Sequence, residues 1–386
     1  MTTNKRIYLD HSATTPVAPE VIAAMLPFFD RAYGNASSIH TFGQEAKVAL
    51  EDARRQVAKL LNAEPGEIVL TSGGTEANNW AIKGAASFFE GTKKHIITAT
   101  AEHQAVLYPC KFLEKKGFEV TYVVVDQYGM VDPQKVADAI RPDTFLVSIM
   151  HANNEVGTIN PIREIGALAR ERGVLFHTDA VQTLGKLLLD VRGMNIDLLS
   201  LSAHKIYGPK GVGALYLRQG IQLDKLLHGG KHERDRRAGT ENVPMAVGLG
   251  KAAEICGSRM EQEMGQLRSL RDVLYEKISG RIGGVRLNGH EKKRLPGILN
   301  VSFDGIEGDA LLLSFDLAGI AVSNGSACTS GTVEPSYVLK AMGLPRGAAS
   351  SAIRFSFGRQ NTAEEIDQTV DALDEILARL RKLRRR

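Results

Sequence analysis

The 386-residue sequence predicts an α/β fold, with a large domain built on a mainly parallel, mixed β-sheet and a smaller α+β domain. Two observations carry this prediction. Short apolar, β-rich runs alternate with helical patterns from about residue 45 to residue 217, as in parallel sheets with crossover helices. Beyond about Gly257 the pattern changes to a long charged helical stretch, followed by strands with Gly-rich connections.

The elements of the large domain follow from local periodicity. Apolar residues recur at helical spacing between residues 45 and 61, and a second helix is expected to start near Thr75, after a Gly-Gly turn. Several strand candidates are almost wholly apolar, which is typical of strands covered by helices on both faces. The candidates are residues 68–70, 95–98, 120–125, 145–150, 174–177, 198–201 and 214–217.

A chain of this length is expected to divide into two domains. The small domain is predicted from a charged helix over 260–278, strands over 299–303 and 353–357, and a final amphipathic helix over 363–383. We assign residues 15–258 to the large domain, and residues 1–14 with 259–386 to the small domain. The small domain carries a segment at about 323–336 that is expected to be mobile, because small and polar residues dominate it.

Composition excludes several classes of protein. Apolar content of 43% and charged content of 24% are ordinary for a globular enzyme, and no apolar run reaches the ~18 residues of a membrane helix. The first ten residues lack the apolar core of a signal peptide, so a cytoplasmic protein without a membrane partner is expected. The net charge of +4 includes six basic residues among the last eight, which does not indicate nucleic-acid binding. Such a tail can dock an acidic partner, or its positive charges can simply stabilise the C-terminal end of a helix.

Three scattered cysteines are too few for a disulfide framework or a zinc knuckle, so no metal site is predicted. Cys110 and Cys256 stand in apolar or helical surroundings and are interpreted as structural.

Polar residues follow several strands of the predicted sheet, at the edge where ligands of parallel α/β sheets gather. Gly73-Gly74-Thr75 lies between a strand and a helix, where backbone amides and the helix N-terminus suit a phosphate. An ordinary Gly turn with Thr75 as N-cap is the alternative. His103, after the next strand, can stack on an aromatic cofactor and exchange protons, or can be structural.

Two later strand ends carry an acid and an amine. Asp179 can pair with a protonated pyridine nitrogen, or can be a helix N-cap; Gln182 beside it can bond a phenolic oxygen. Lys205, flanked by Ser202 and His204 as phosphate donors, can form a Schiff base with an aldehyde once it is held out of bulk water. Together these groups fit pyridoxal 5'-phosphate better than any other cofactor.

The same motifs identify a family. Nearly end to end, the sequence resembles the NifS/IscS group of cysteine desulfurases, within the aminotransferase class V branch of fold-type I pyridoxal-phosphate enzymes. The matching segments are 8–16 (Tyr-Leu-Asp-His-Ser-Ala-Thr-Thr-Pro), 35–40 (Asn-Ala-Ser-Ser-Ile-His), 71–79, 102–103 (Glu-His), 151–158 (His-Ala-Asn-Asn-Glu-Val-Gly-Thr), 177–182, 202–211, 237–242 (Arg-Ala-Gly-Thr-Glu-Asn), 326–331 (Ser-Ala-Cys-Thr-Ser-Gly) and 354–358 (Arg-Phe-Ser-Phe-Gly).

The resemblance implies a role for each matching position. Lys205 would hold the cofactor, Asp179 its pyridine nitrogen and His103 its ring face. Asn154 and Arg354 would orient the substrate carboxylate, and Asn35 borders the family's substrate pocket. The phosphate would be held by Gly74, Thr75, Ser202, His204 and, from the second subunit of a homodimer, Thr240.

Cys328 decides the activity that the resemblance implies. It would take sulfur from L-cysteine as a persulfide, leaving L-alanine, and its long segment resembles those that deliver sulfur to an iron–sulfur scaffold or another acceptor protein. His103 would manage the proton of the substrate thiol. Lys231, Asp235-Arg236 and His11-Ser12 depart from the commonest family pattern without touching the chemistry.

Other functions stay open on the sequence alone. A selenocysteine lyase or another class V enzyme with a small amino-acid substrate would share the lysine and the acid. A sulfur-transfer scaffold that docks partners through its basic tail is an alternative from outside enzymology. The acceptor, in iron–sulfur assembly, nitrogenase maturation or tRNA thiolation, is not indicated.

Overall fold

Two β-sheets of different kinds organise the protein. The computed structural model describes residues 6–324 and 335–384. Within those ranges the strands are β1 (Ile7–Tyr8), β2 (Ile68–Thr71), β3 (His95–Ala99), β4 (Glu119–Val123), β5 (Thr144–Ser148), β6 (Leu175–Asp179), β7 (Leu198–Ser202), β8 (Gly213–Leu217), β9 (Val285–Asn288), β10 (Ile298–Phe303), β11 (Ile320–Ala321) and β12 (Ala352–Ser356).

Helices flank both sheets. In the same ranges they are α1 (Pro19–Met25), α2 (Pro27–Asp30), α3 (Thr41–Leu61), α4 (Gly74–Phe88), α5 (Gln104–Glu114), α6 (Pro133–Ala139), α7 (Ile162–Glu171), α8 (Val243–Arg281), α9 (Gly308–Leu317), α10 (Tyr337–Ala341), α11 (Arg346–Ser350) and α12 (Ala363–Arg384). None of these helices combines the length and apolar character that crossing a bilayer requires.

The larger sheet confirms the predicted mainly parallel, mixed architecture. Its order is β2-β8-β7-β6-β5-β3-β4, and only β8 runs antiparallel to its neighbours. Every residue of β2, β3, β5, β7 and β8 is buried, because helices cover both faces. The seven strands predicted for this sheet all form, with ends shifted by one to two residues.

The smaller sheet is antiparallel, in the order β12-β10-β9, and packs on α8, α9 and α12. Its hydrophobic core takes Ile7 and Leu9 from the N-terminus together with residues of the C-terminal third of the chain. Strand β1 pairs in parallel with β11 in the same region. These contacts support the division into residues 15–258 and residues 1–14 with 259–386, which stays a prediction.

Helix α8 differs from the sequence prediction, which began it at residue 260. The helix starts at Val243 and therefore runs without a break across the predicted boundary at 258/259. Glycines in its first turns argued against a helix in the sequence. They are needed for close packing, because a Cβ on Gly250 would lie 2.5 Å from the Cα of Ala53 in α3. The helix–helix contact therefore requires residues that otherwise disfavour helix formation.

A buried ion pair fastens the edge of the larger sheet. Arg54, in α3, donates from Nη1 and Nη2 to the two carboxylate oxygens of Glu233 at 2.6 and 3.0 Å, with 4% of each side chain exposed. The same carboxylate accepts the backbone N–H of Leu70 in β2 at 2.9 Å. Residues 233–235 all have positive φ, so the pair holds the chain in a conformation that it would otherwise disfavour.

Replacing Glu233 with Gln should destabilise the fold, because the buried Arg54 guanidinium loses its bidentate carboxylate partner and keeps only the longer contact to the part-exposed Glu51, at 3.3 Å. We expect the free energy of unfolding, measured by urea denaturation, to fall by about 3 kcal/mol. Asp52→Asn is the matched control, since Asp52 pairs with Arg55 in the same helix but both side chains are more than half exposed; it should change stability by less than about 1 kcal/mol. Equal losses in the two variants would contradict a structural role for the buried pair.

Candidate active site

The carboxyl ends of β6 and β7 open onto a cavity of about 310 Å³. Ten of the residues predicted from the sequence line it together: Gly74, Thr75, His103, Asn154, Asp179, Gln182, Ser202, His204, Lys205 and Arg354. Ser12, Ala13, Asn78 and Met150 complete most of the wall and were not predicted.

Lys205 lies in a short 3₁₀ turn directly after β7. Its Nζ donates to the backbone carbonyl oxygens of Ser12 and Ala13, the latter at 2.6 Å. Burial, together with the charges of Lys186 and Arg354, lowers the pKa of this amine to about 7. An amine with such a pKa is partly uncharged near neutral pH and can therefore act as a nucleophile or a base.

Thr15 fixes the loop that carries Lys205. Its Oγ1 donates to the carbonyl of His204 at 2.9 Å and accepts the N–H of Tyr207 at 2.8 Å, so it bonds the chain on both sides of the lysine. Tyr207 has a φ of 64°, and the hydroxyl of Thr15 satisfies its N–H in that conformation. The sequence showed Thr15 only as part of the family-like segment 8–16.

Asp179 ends β6 and is 6% exposed. One carboxylate oxygen accepts the N–H of Val181 at 3.0 Å, and the other accepts the amide of Asn78 at 2.7 Å. The alternative that Asp179 caps a helix is wrong, because a turn and not an α-helix follows it. Its carboxylate is instead oriented from two sides at the cavity wall.

Helix α4 begins at the cavity wall beside the chain that follows Asp179, with Gly73 as its N-cap. The alternative of Thr75 as N-cap is therefore wrong. A Cβ on Gly74 would lie 2.6 Å from a methyl group of Val181, so only glycine permits this approach. The helix N-terminus thus reaches the wall that Ser202 also lines, as an anion site requires.

His204 adds a neutral imidazole to this wall. Burial is the main cause that lowers its pKa to about 4, and the charges of Lys205, Lys210 and Lys186 add to the effect. Its Nδ1 lies 3.2 Å from the hydroxyl of Thr14. A neutral His204 can donate one hydrogen bond to an anion without carrying a charge.

His103 serves two purposes. It caps α5, because its Nδ1 accepts the N–H of Ala105 at 3.0 Å, and it lines the mouth of the cavity. The cap leaves Nε2 as the nitrogen that carries the proton in the neutral ring. The structural role and the chemical role weighed for this residue are therefore compatible.

Arg354, in β12, closes the cavity from the smaller sheet and is 5% exposed. Nη1 donates to the carbonyl of Asn154 at 2.9 Å and Nη2 to Asp10 at 2.7 Å. Within the described part of the chain, Arg354 Nε and Asn154 Oδ1 are buried without a hydrogen-bond partner. A bound water, an ion or a ligand can complete the bonding of such atoms.

Two buried carboxyl groups behind the cavity were not predicted. Burial raises the pKa of Glu102 well above its usual value, and its Oε1 accepts the N–H of Met150 at 2.7 Å. Burial also raises the pKa of Glu155 to about 7, and its carboxylate accepts the hydroxyl of Ser336. The sequence showed both acids only as members of the family-like segments 102–103 and 151–158, with no sign that they are buried.

Three predicted residues do not join the cavity in this chain. Thr240 and Asn35 are exposed and lie off its wall, and Cys328 falls in 325–334, outside the described residues. The loop of Thr240 is tied to α4, because Arg237 donates to both carboxylate oxygens of Glu76 at 2.8 and 3.1 Å.

The two described cysteines are both buried and unpaired. Burial raises the pKa of Cys110 to about 12 and that of Cys256 to about 11, so neither is a thiolate near neutral pH. This agrees with the structural role expected for both.

The cavity fits pyridoxal 5'-phosphate in its chemistry. Its volume suits a small ligand, the α4 N-terminus with Ser202 offers phosphate donors, and Lys205 offers an amine. Asp179 supplies a carboxylate that can face a protonated ring nitrogen.

Comparison with known proteins agrees with this chemistry. The chain is 52% identical over 382 residues to a protein of Methanosarcina thermophila named "Cysteine desulfurase IscS", covering 99% of this chain and 94% of that protein. The protein of the same name from Dictyoglomus turgidum is 50% identical over 379 residues, covering 98% and 96%.

Solved structures give the same result. A structure described as "NIFS-LIKE PROTEIN" superposes with a TM-score of 0.92 at 41% identity, covering 97% of this chain and all of that one. "SspA in complex with cysteine" superposes with a TM-score of 0.81 at 40% identity, covering 92% and 99%. The model of the family described as Aminotransferase class-V matches residues 7–369. The chain therefore belongs to the aminotransferase class-V family.

Proposed function

We propose that this chain is a pyridoxal-phosphate-dependent cysteine desulfurase that converts L-cysteine to L-alanine and transfers the sulfur to Cys328. The observation that carries the proposal is the half-buried Lys205 amine in the same cavity as Asp179, in a chain half identical to proteins named cysteine desulfurase over nearly its full length. The cysteine complex of a 40% identical structure supports L-cysteine as the substrate.

The cofactor of the class-V family is pyridoxal 5'-phosphate, which supplies an aldehyde carbon and a ring that withdraws electrons from the substrate. Lys205 would hold the aldehyde carbon covalently and, once freed, move the substrate Cα proton. Asp179 would keep the ring nitrogen protonated, and Gln182 would bond the phenolic oxygen. Thr75, Ser202 and His204 would hold the phosphate.

Arg354 and Asn154 would hold the substrate. The guanidinium matches a carboxylate, and its Nε is buried without a partner in the described chain. Asp10 and the carbonyl of Asn154 already orient the Arg354 guanidinium, so the substrate carboxylate would bind a cation that is fixed in place. This orientation would place the substrate Cα near Lys205.

The overall reaction balances without an added oxidant. The Cβ–S bond of L-cysteine breaks and an S–S bond forms on Cys328, while a proton from the thiols returns to the substrate carbon. The products are L-alanine and a Cys328 persulfide. His103, with its proton on Nε2, would exchange the proton of the substrate thiol.

Replacing Cys328 with Ser should abolish persulfide formation and reduce L-alanine production to background, because the sulfur acceptor is lost. The variant should still bind the cofactor and stay yellow. Alanine would be quantified by chromatography and the persulfide by mass spectrometry. Cys110→Ser, a change at a buried thiol, is the control and should keep both products; normal alanine from the Cys328 variant would contradict the proposal.

Replacing Arg354 with Gln should raise KM for L-cysteine and lower kcat/KM by about 100-fold, because a charge-assisted carboxylate contact is lost. Steady-state alanine formation measures both constants. Arg286→Gln is the matched control: Arg286 is an exposed arginine of the same small sheet and should leave KM unchanged. An unchanged KM in the Arg354 variant would contradict a role for this residue in substrate binding.

Direct assays separate two alternatives, one an enzyme of the same family and one a protein without catalysis. A selenocysteine lyase would turn over selenocysteine and not L-cysteine, so parallel measurement of alanine from both substrates decides between them. A sulfur-transfer scaffold without catalysis would bind neither cofactor nor substrate. The name of the relatives supports iron–sulfur assembly as the use of the sulfur, with a scaffold protein as the acceptor.

We also propose a homodimer in which Thr240 reaches the phosphate site of the second subunit. Large apolar side chains between residues 22 and 48 support the dimer, because exposed apolar patches are typical of protein–protein contacts. The exposed fractions of Leu26, Phe29 and Tyr33, for example, are 57%, 56% and 68%. Sedimentation equilibrium should give twice the 41.9 kDa chain mass; a monomer would contradict the proposal.

A cytoplasmic location is proposed as well. The two described cysteines support it, because unpaired thiols persist in reducing compartments. Cell fractionation would test it.

A further inference from the structure

Lys186 lies beside the proposed site but has no part in the proposed reaction. It is half-buried and follows Gly185 in the turn after β6. Its Nζ donates to Oε1 of Gln182, a neutral amide, at 3.4 Å. Burial and the charge of Arg354 lower its pKa to about 8, so near neutral pH it is still largely an ammonium.

A short chain of hydrogen bonds joins Lys186 to Lys205. Nε2 of Gln182 donates to the carbonyl of Ser12 at 3.0 Å, and the same carbonyl accepts Nζ of Lys205. Both lysines also line one small cavity of about 30 Å³, which has room for about one water molecule. The two amines are therefore separated by one amide side chain and one backbone carbonyl.

The backbone fixes this arrangement. Gly185 has a φ of 67°, and a Cβ there would lie 2.9 Å from the Sγ of Cys256 in α8 and 3.2 Å from a methyl group of Ile206. Ile206 directly follows Lys205 in the chain. The turn that carries Lys186 is thus pressed between α8 and the loop of Lys205.

The acids around the two lysines are already engaged. Asp10 pairs with Arg354, Asp179 accepts from Asn78 and Val181, and Glu263 pairs with Arg359 at 2.7 Å. The titratable and charged groups that face the pair are Asp10 and His11 from the N-terminal segment, Asp179 from β6, His204 and Tyr207 from the loop after β7, Cys256 and Glu263 from α8, Arg354 from β12, and Arg359.

We propose that Lys186 is a positioning residue for Lys205. The Lys186 ammonium is held at a fixed separation from Lys205 through Gln182 and the Ser12 carbonyl, and its charge keeps the Lys205 amine uncharged and ready to bond the cofactor aldehyde. The inference rests on the proposed cofactor site. The inference assigns the effect to the charge of Lys186. An arginine at this position should therefore preserve the effect, and a methionine should abolish it.

The test measures how fast apoenzyme takes up pyridoxal 5'-phosphate, without L-cysteine, between pH 5.5 and 9.5. The visible absorption of the bound cofactor reports covalent loading. The wild-type rate should rise with pH to a midpoint near 7, because only the uncharged Lys205 amine reacts. In Lys186→Met the midpoint should move up by about one pH unit, which slows loading about tenfold at pH 6.

Two controls separate charge from shape. Lys186→Arg keeps the charge and should hold the midpoint within a few tenths of a pH unit. Lys210→Met removes an exposed cation from the same loop and should move the midpoint much less than Lys186→Met, since Lys210 is not among the charges that lower the pKa of the Lys205 amine. If circular dichroism shows that the methionine variant is not folded, Lys186→Gln takes its place as the uncharged variant.

Either of two results would overturn the inference: an unchanged midpoint in the folded, uncharged variant, or an equal shift in the arginine variant. Both are distinguishable from failure of the proposed function. An enzyme that loads with the expected midpoints but makes no alanine from L-cysteine would refute the desulfurase and leave the role of Lys186 standing.

Discussion

The crossing of the N-terminal segment under the loop of Lys205 is the contact on which the site depends. Ile7 and Leu9 belong to the core of the smaller sheet, whereas Ala18 and Val21 belong to the core of the larger one. The stretch between them must therefore pass from one core to the other. It passes directly below Lys205, so the lysine lies where the two cores meet.

That position sets the electrostatics of the site. Lys205 loses water because both cores cover it, and Arg354 arrives from the smaller sheet as a second cation. Backbone carbonyls accept hydrogen bonds from the lysine but carry no full negative charge, so they cannot offset burial as a carboxylate would. Asp10 could supply that charge, yet it is bound to Arg354. The charges of Asp10 and Asp179 raise the pKa of the amine, but burial and the charges of Lys186 and Arg354 outweigh them.

Much of the fold and part of the site follow from sequence because their signals are local. Most strands of the larger sheet are buried on both faces, so they appear as largely apolar runs, and a polar residue such as Asp179 at a strand end is conspicuous. The early turns of α8 were missed because Gly248 and Gly250 satisfy a packing requirement that overrides helix propensity.

The supporting residues of the site could not be predicted in the same way. Thr15 and Asn78 act on partners more than 100 residues away in sequence, as does Gln182 in its unpredicted bond to Ser12, and no periodicity marks such pairs. Lys186 is one lysine among many until Gly185 places it behind Lys205. Thr240 and Asn35 are exposed and lie off the cavity wall of this chain, and only Thr240 is expected to act on the second subunit of the proposed homodimer.

The described residues on either side of 325–334 connect the proposed sulfur acceptor to the same site. Ser323 exchanges two backbone hydrogen bonds with Arg354, at 2.6 and 3.1 Å, and Ser336 bonds to the buried carboxyl of Glu155. Tyr337 donates to the carbonyl of Glu102 at 2.6 Å, immediately before His103. Both ends of the cysteine segment are therefore fixed to elements that form the cavity wall. In the proposed reaction the Cys328 sulfur must reach the substrate, and described flanking residues that are bonded to the cavity wall on both sides suit that requirement.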